Sequence, residues 1–186
     1  MTRQHLLAQL QVYTAKSAIE QQHCDAVIRL LTTADNCFER SRTEGHLTAS
    51  AWVILPEKQQ VLLMHHTKLD RWLQPGGHAD GDENLAGVAL REAHEESGLC
   101  SLRLLSNEIF DVDVHTIPAR KQEPEHLHFD IRYLVTADSS EQLNPDKRES
   151  KGFAWVPWHE APALVKGEAS ITRMLNKTEN LYSLTV

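Results

Sequence analysis

Three carboxylates stand close together near the end of residues 77–99, GHADGDENLAGVALREAHEESGL: Glu92, Glu95 and Glu96. On a helix turning about 100° per residue, Glu92 and Glu96 lie one turn apart, with Glu95 beside them. Like charges at that spacing destabilise a helix, and a divalent cation would offset the repulsion. The donors are hard oxygens, with no thiolate and no ligand-spaced histidine pair. That set favours Mg²⁺, with Mn²⁺ as substitute. Because Mg²⁺ usually keeps water and substrate phosphates among its ligands, the implied partner is a phosphate ester or anhydride. If the edge is only a solvated face, Arg91 pairs with Glu95 at i,i+4.

The element that must carry these groups is a helix over 83–97. Asp82 is its expected N-cap and Gly98 its stop. Ala86, Ala89, Leu90 and Ala93 form an apolar stripe beside the acidic edge, which would fix the helix on a core. Residues 76–82 form the turn that leads into it. Upstream, 46–55 and 60–65 have strand composition around the turn 56–59, and 72–77 is a short strand running into the acidic stretch.

Downstream, 102–105 and 109–116 read as a strand or a kinked pair, and 126–136 alternates cleanly between apolar and polar residues. Joined by the nine residues 117–125, they suggest an antiparallel hairpin. Its polar face gathers His115, His126 and His128 with Asp111, Asp113 and Asp130. One reading is an exposed sheet face. The other is a substrate groove in which His115, His126, His128 and Asp130 meet a base, sugar or phosphate; a second metal held by His and Asp is a further alternative. Arg120 and Lys121 at the tip could clamp a phosphate, and Glu123 or Glu125 could act as an auxiliary base. A last strand over 152–157 precedes helices over 158–164 and 170–176.

Residues 2–33 are helical, with Ser17 capping the second of two helices. They are read either as a dimerisation arm, implying a homodimer, or a lid, or as a helical pair packed on the same domain. Arg40 and Arg42, in the connection that follows, are weaker phosphate-clamp candidates.

The size, 186 residues, suits one domain with added elements. Nineteen basic against twenty-six acidic residues give −7, which argues against broad nucleic-acid binding. No apolar run reaches the ~18 residues of a membrane span, and the first residues lack a secretory apolar region. Cys24, Cys37 and Cys100 are odd in number and without CxxC spacing, so neither a disulfide framework nor a thiolate metal site is expected. A cytoplasmic location fits these features.

The spacing from Gly77 through Glu83 to Arg91-Glu92-Ala93-x-Glu95-Glu96-x-Gly98-Leu99 resembles the box of the Nudix hydrolases, G-x5-E-x7-R-E-U-x-E-E-x-G-U. Ala93, where a larger aliphatic is usual, is its one departure. The likeness extends from about His46 to Lys166. It implies an α/β (α+β) Nudix fold, a mixed sheet sandwiched between helices, with 1–45 as an N-terminal helical extension and 46–186 as the hydrolase domain. It further implies Mg²⁺-dependent hydrolysis of a pyrophosphate linkage in a nucleoside diphosphate joined to another group, a small nucleotide-type substrate. Carried over, Gly76 (by its carbonyl), Glu92, Glu95 and Glu96 hold the metal. Glu95 is either a ligand or the general base, Arg91 joins the catalytic set, and Glu83 pairs with Arg91 as a brace. The proline that marks ADP-ribose pyrophosphatases is absent from its place, since the first after the box is Pro118, nineteen residues past Leu99. Two other classes use this fold: a non-catalytic nucleotide sensor and an isopentenyl diphosphate isomerase-like enzyme. Both usually depart from the box that is intact here.

Overall fold

The computed structural model describes residues 2–67, 69–120, 123–145 and 150–183. Among them are seven strands and five α-helices, a mixed α+β fold. The residues group into two compact units, each assembled from three chain segments.

The first unit comprises Met1–Ser50, Gly76–Ala89 and Ser106–Tyr133. It opens with α1 (Arg3–Val12), capped by the Thr2 hydroxyl, and α2 (Ala18–Thr33), capped by Ser17, whose Oγ accepts the Glu20 N–H at 3.2 Å. Leu6, Leu10, Val27, Leu30 and Leu31 are buried, the apolar stripes expected from helical spacing. Polar anchors lock these helices to the strand β5 (Arg103–Ile117). Gln9 Nε2 donates to the Asn107 carbonyl at 2.9 Å, and the Tyr13 hydroxyl lies 3.0 Å from the Phe110 carbonyl and 2.5 Å from Glu20. Burial and the Glu20 carboxylate push the Tyr13 pKa well up, so the phenol stays protonated and Glu20 keeps its donor.

In the same unit, β4 (Gly76–His78) pairs antiparallel with β1 (Gly45–Leu55) in the register Thr48↔His78, Ala49↔Gly77 and Ser50↔Gly76. β6 (His126–Thr136) lies between β1 and β5. The two downstream segments expected as a strand or kinked pair are one continuous strand, β5.

The second unit comprises Ala51–Pro75, Leu90–Leu105 and Leu134–Val186. β2 (Gln60–His66) pairs antiparallel with the end of β1, with β3 (Arg71–Leu73), and along its whole length with β7 (Ser150–Pro157). After the short α4 (Ala161–Leu164), α5 (Ala169–Ser183) buries Ile171, Met174 and Leu175, and its Thr178 accepts a hydrogen bond from Trp52 Nε1 at 2.8 Å. α5 runs well past the expected end at 176, because no glycine or proline stops it.

The helix that carries the acidic edge is α3 (Leu85–Ser97). It starts two residues later than expected. Asn84 Oδ1 accepts the Gly87 N–H at 3.4 Å, while Asp82 Oδ1 takes the Asn84 N–H at 2.8 Å. Asp and Asn cap equally well, so two candidates in one short run shift the start without changing the face. The end is as expected. Gly98 has φ +75, and a Cβ there would meet the Asn144 carbonyl, so both backbone and space demand glycine. Ala93 is fully buried, the smaller side chain fitting a closely packed helix face.

Candidate active site

The acidic edge lies on the last turns of α3, within the second unit. Glu92 keeps 16 % of its side chain exposed and Glu95 57 %, while Glu96 is only 6 % exposed as a residue. Arg91 sits across them, with Nη1 2.6 Å from Glu92 and 3.6 Å from Glu95. The i,i+4 pair expected of a solvated face is therefore present, but the closer contact is to Glu92. Half-exposed pairs of this kind contribute little to stability. The edge offers oxygen donors only, a set that fits a hard divalent cation.

Two box positions belong to the first unit. Glu83 accepts the backbone N–H of Arg3 at 2.7 Å. Glu83 thereby ties the box loop to the first turn of α1, while Arg91 pairs within its own helix. This contact was invisible in the sequence, since it joins residues eighty apart. Gly76 lies against β1, where an added Cβ would come within 2.7 Å of the Ala49 carbonyl oxygen and 2.8 Å of Ser50 Cα, besides striking the Ser50 hydroxyl. Its glycine is required by strand packing, independently of any ion.

Arg40 and Arg42 are engaged locally instead of standing ready for phosphate. Arg40 forms a bidentate pair with Asp80 of the box loop, and Arg42 donates to the Gly45 carbonyl at 2.5 Å. At the hairpin tip, Arg120 and Glu123 exchange backbone hydrogen bonds at 2.8 and 2.7 Å. Lys121 lies outside the described residues.

The polar face of β5 and β6 is not an exposed sheet face along its whole length. Asp111, Asp113, Asp130 and Arg132 are all buried. Arg132 contacts Asp130 at 2.8 Å, Asp111 at 3.1 Å and Asp113 at 3.3 Å. Burial alone would lower the guanidinium's pKa, but the three carboxylates outweigh it and hold the pKa above its ordinary value. Asp130 also accepts hydrogen bonds from Thr48 Oγ1 at 3.0 Å and Ser50 Oγ at 2.9 Å. Expected as a substrate contact, Asp130 is instead committed to bracing β1 against β6.

Toward the other end of this face the histidines converge. His115 Nδ1 is 3.1 Å from Asp113, and its ring packs edge-on to His128 with centroids 5.6 Å apart. His126 Nε2 lies 3.3 Å from His128 Nε2. His46 and His78 join them, His46 stacking on His126. Burial, then the neighbouring cationic groups and imidazoles, depress the pKa of His78 to about 4 and of His128 to about 2; burial lowers that of His46 as well. His46 and His78 were missed at the sequence level because strand pairing, not spacing, brings them together. The pairing Thr48↔His78 is the signal that would have found them.

A NUDIX domain model matches residues 45–175. A Lactococcus lactis protein provisionally named as a DHNTP pyrophosphohydrolase is 28% identical over 133 residues, 70% of this chain and 78% of that protein. A Bacillus subtilis protein provisionally named as an 8-oxo-dGTP diphosphatase is 33% identical over 104 residues, 56% of this chain and 62% of its own length. Among solved structures, a C. elegans Ap4A hydrolase binary complex aligns with TM-score 0.59 at 18% identity, covering 74% of this chain and 97% of that one. The E. coli dihydroneopterin triphosphate pyrophosphohydrolase aligns with TM-score 0.58 at 15% identity, covering 72% and 95%. At such identities the structures establish the fold.

Proposed function

The chain belongs to the Nudix family and is a pyrophosphohydrolase, and from that premise we propose that it splits a phosphoanhydride bond in a small nucleotide-type polyphosphate with Mg²⁺ held on the acidic edge of α3. The observation that carries this reading is the trio Glu92, Glu95 and Glu96 on adjacent turns of one helix, with Arg91 paired to Glu92 and Glu95. Glu92 and Glu96 would hold the ion, together with the Gly76 carbonyl carried over from the family pattern and either water or, where it is not the base, Glu95. The ion supplies charge neutralisation on the phosphate oxygens and lowers the pKa of bound water. Glu95, the most solvent-accessible of the three, accepts the proton of the attacking water as the bridging P–O bond breaks. Arg91 orients Glu92 and Glu95. His115, His126 and His128, with Arg120 at the hairpin tip, contact the base, sugar or phosphate.

Two relatives are named for triphosphates of fused bicyclic rings. That chemistry makes purine and pterin triphosphates the first substrates to test, ahead of nucleotide sugars and dinucleoside polyphosphates. Purified protein with Mg²⁺ and a panel of these compounds, followed by chromatography of the phosphorylated products, checks the proposal. Release of two phosphorylated fragments from at least one compound, lost in Glu96→Gln, is the expected outcome. Tight binding with no product from any compound would point to a sensor and contradict the catalytic reading.

A further inference from the structure

We propose that His46, His78 and His128 form a binding site for a divalent transition-metal ion of the zinc class, with a fourth position left for water or a substrate oxygen. One nitrogen from each ring lies within 4.8 Å of the other two. The ring centroids are 5.1 Å apart for His46–His78, 5.1 Å for His46–His128 and 5.0 Å for His78–His128. A tetrahedral ion with nitrogens at about 2.0–2.1 Å would place imidazole centres roughly 5.2 Å apart. The rings already stand at that separation. The nitrogens, within 4.8 Å of one another, would close to roughly 3.3–3.4 Å on such an ion.

A second observation points to a ligand. His46 is 2 % exposed, and its Nδ1 lies 3.2 Å from the Arg42 carbonyl, which can only accept. Nδ1 therefore carries the hydrogen and Nε2 the lone pair. That Nε2 is buried without a hydrogen-bond partner. A buried acceptor left unpaired calls for an explanation, and an imidazole oriented by a backbone carbonyl on its far nitrogen is the usual arrangement of a metal-ligating histidine.

The scaffold is rigid, since the three residues come from three hydrogen-bonded strands, β1, β4 and β6. His126 donates from Nδ1 to the Pro124 carbonyl at 2.8 Å, so its Nε2 can accept from His128 Nε2 at 3.3 Å, which leaves Nδ1 of His128 as the ligand atom. Three imidazoles with no carboxylate select zinc-class ions over Mg²⁺. The site therefore shares neither a residue nor a donor type with the α3 carboxylates. His128, expected as a substrate contact, would reach substrate through the ion's fourth position.

The test uses the full chain stripped with a chelator and titrated with Co²⁺ and then Zn²⁺, read by the visible ligand-field band of four-coordinate Co²⁺ and by calorimetry. One equivalent of Co²⁺ should give the band, and Zn²⁺ should displace it. His78→Asn and His128→Asn should each weaken binding at least about a hundredfold, beyond the roughly tenfold to hundredfold cost of losing an outer partner. A Glu92→Gln/Glu96→Gln double variant should keep the four-coordinate Co²⁺ band at the wild-type midpoint, whatever carboxylate binding it loses in the calorimeter. Circular dichroism checks that each variant folds, and the less buried His78 decides the question should His128→Asn not fold. No saturable band in the wild type, a band that survives in a folded His78 variant, or one lost in the glutamate variant overturns the proposal.

Discussion

Two regions of this molecule collect acidic side chains, and they use them in opposite ways. On α3, Glu92 and Glu95 keep solvent access and share one half-exposed arginine. On β5 and β6, Asp111, Asp113 and Asp130 are buried around Arg132, itself 2 % exposed and in contact with all three. The residue types barely differ. Burial and the reach of the cation decide whether a carboxylate's charge goes into the fold or remains available to a ligand.

Removing the buried cation gives the largest expected effect. Arg132→Met removes the guanidinium that three buried carboxylates share and should cost about 3–5 kcal/mol of stability, a fall in melting temperature of roughly 2–4 °C per kcal/mol for a chain of this size. Arg132→Lys should recover little, because one ammonium cannot contact three carboxylates as a planar guanidinium does. A loss under ~1 kcal/mol in urea unfolding would remove the contrast between the regions.

Changes on α3 should read the other way. Glu96→Gln should lower turnover by about a hundredfold to a thousandfold, the several kcal/mol of transition-state stabilisation that a lost metal ligand represents, with the melting temperature held within a few degrees. Collapse of the fold in that variant would make Glu96 another bracing acid.

Gly76→Ala is intermediate, at about 1–3 kcal/mol of overpacking strain. Combining it with Ser50→Ala should not rescue it, since the Ala49 carbonyl still blocks the new Cβ. Full rescue would show that the hydroxyl was the only obstacle.

A pH series sharpens the comparison further. His78 at about 4 and His128 at about 2 lie below the ordinary 6.5, first through burial. Between those values the unfolded chain holds protons that the native chain refuses. For the metal-free protein, stability from these groups is complete above pH ~6.5 and falls as pH drops toward ~4 and below. The groups around them are His46, His115, His126, Arg40 and Asp80. Urea unfolding from pH 7.5 to 5 should show this slope, and His128→Asn should flatten it. The smallest effect belongs to Glu95→Gln, whose exposed side chain should change stability by less than ~0.5 kcal/mol.

Local pattern made much of the fold legible. The alternation of 126–136 gave β6 its full extent, and helical spacing with Ser17 as cap located α2. The acidic edge was legible for the same reason, since Glu92, Glu95 and Glu96 are brought together by one helix. What escaped depends on partners distant in sequence. Glu83 turns to Arg3, Asp130 is claimed by Thr48, Ser50 and Arg132, and His46 meets His78 and His128 only once β1 has paired with β4 and β6. The shifted start of α3 has a smaller cause, the competition of Asp82 and Asn84 for one cap.

The central claim, that the α3 carboxylates hold the catalytic cation, is met most directly by titrating Mn²⁺ into the chelator-stripped protein while following the free-ion signal by electron paramagnetic resonance. The wild type should take up Mn²⁺ saturably, and the Glu92→Gln/Glu96→Gln variant, folded by circular dichroism, should bind at least about tenfold more weakly. Superimposable isotherms would contradict the account.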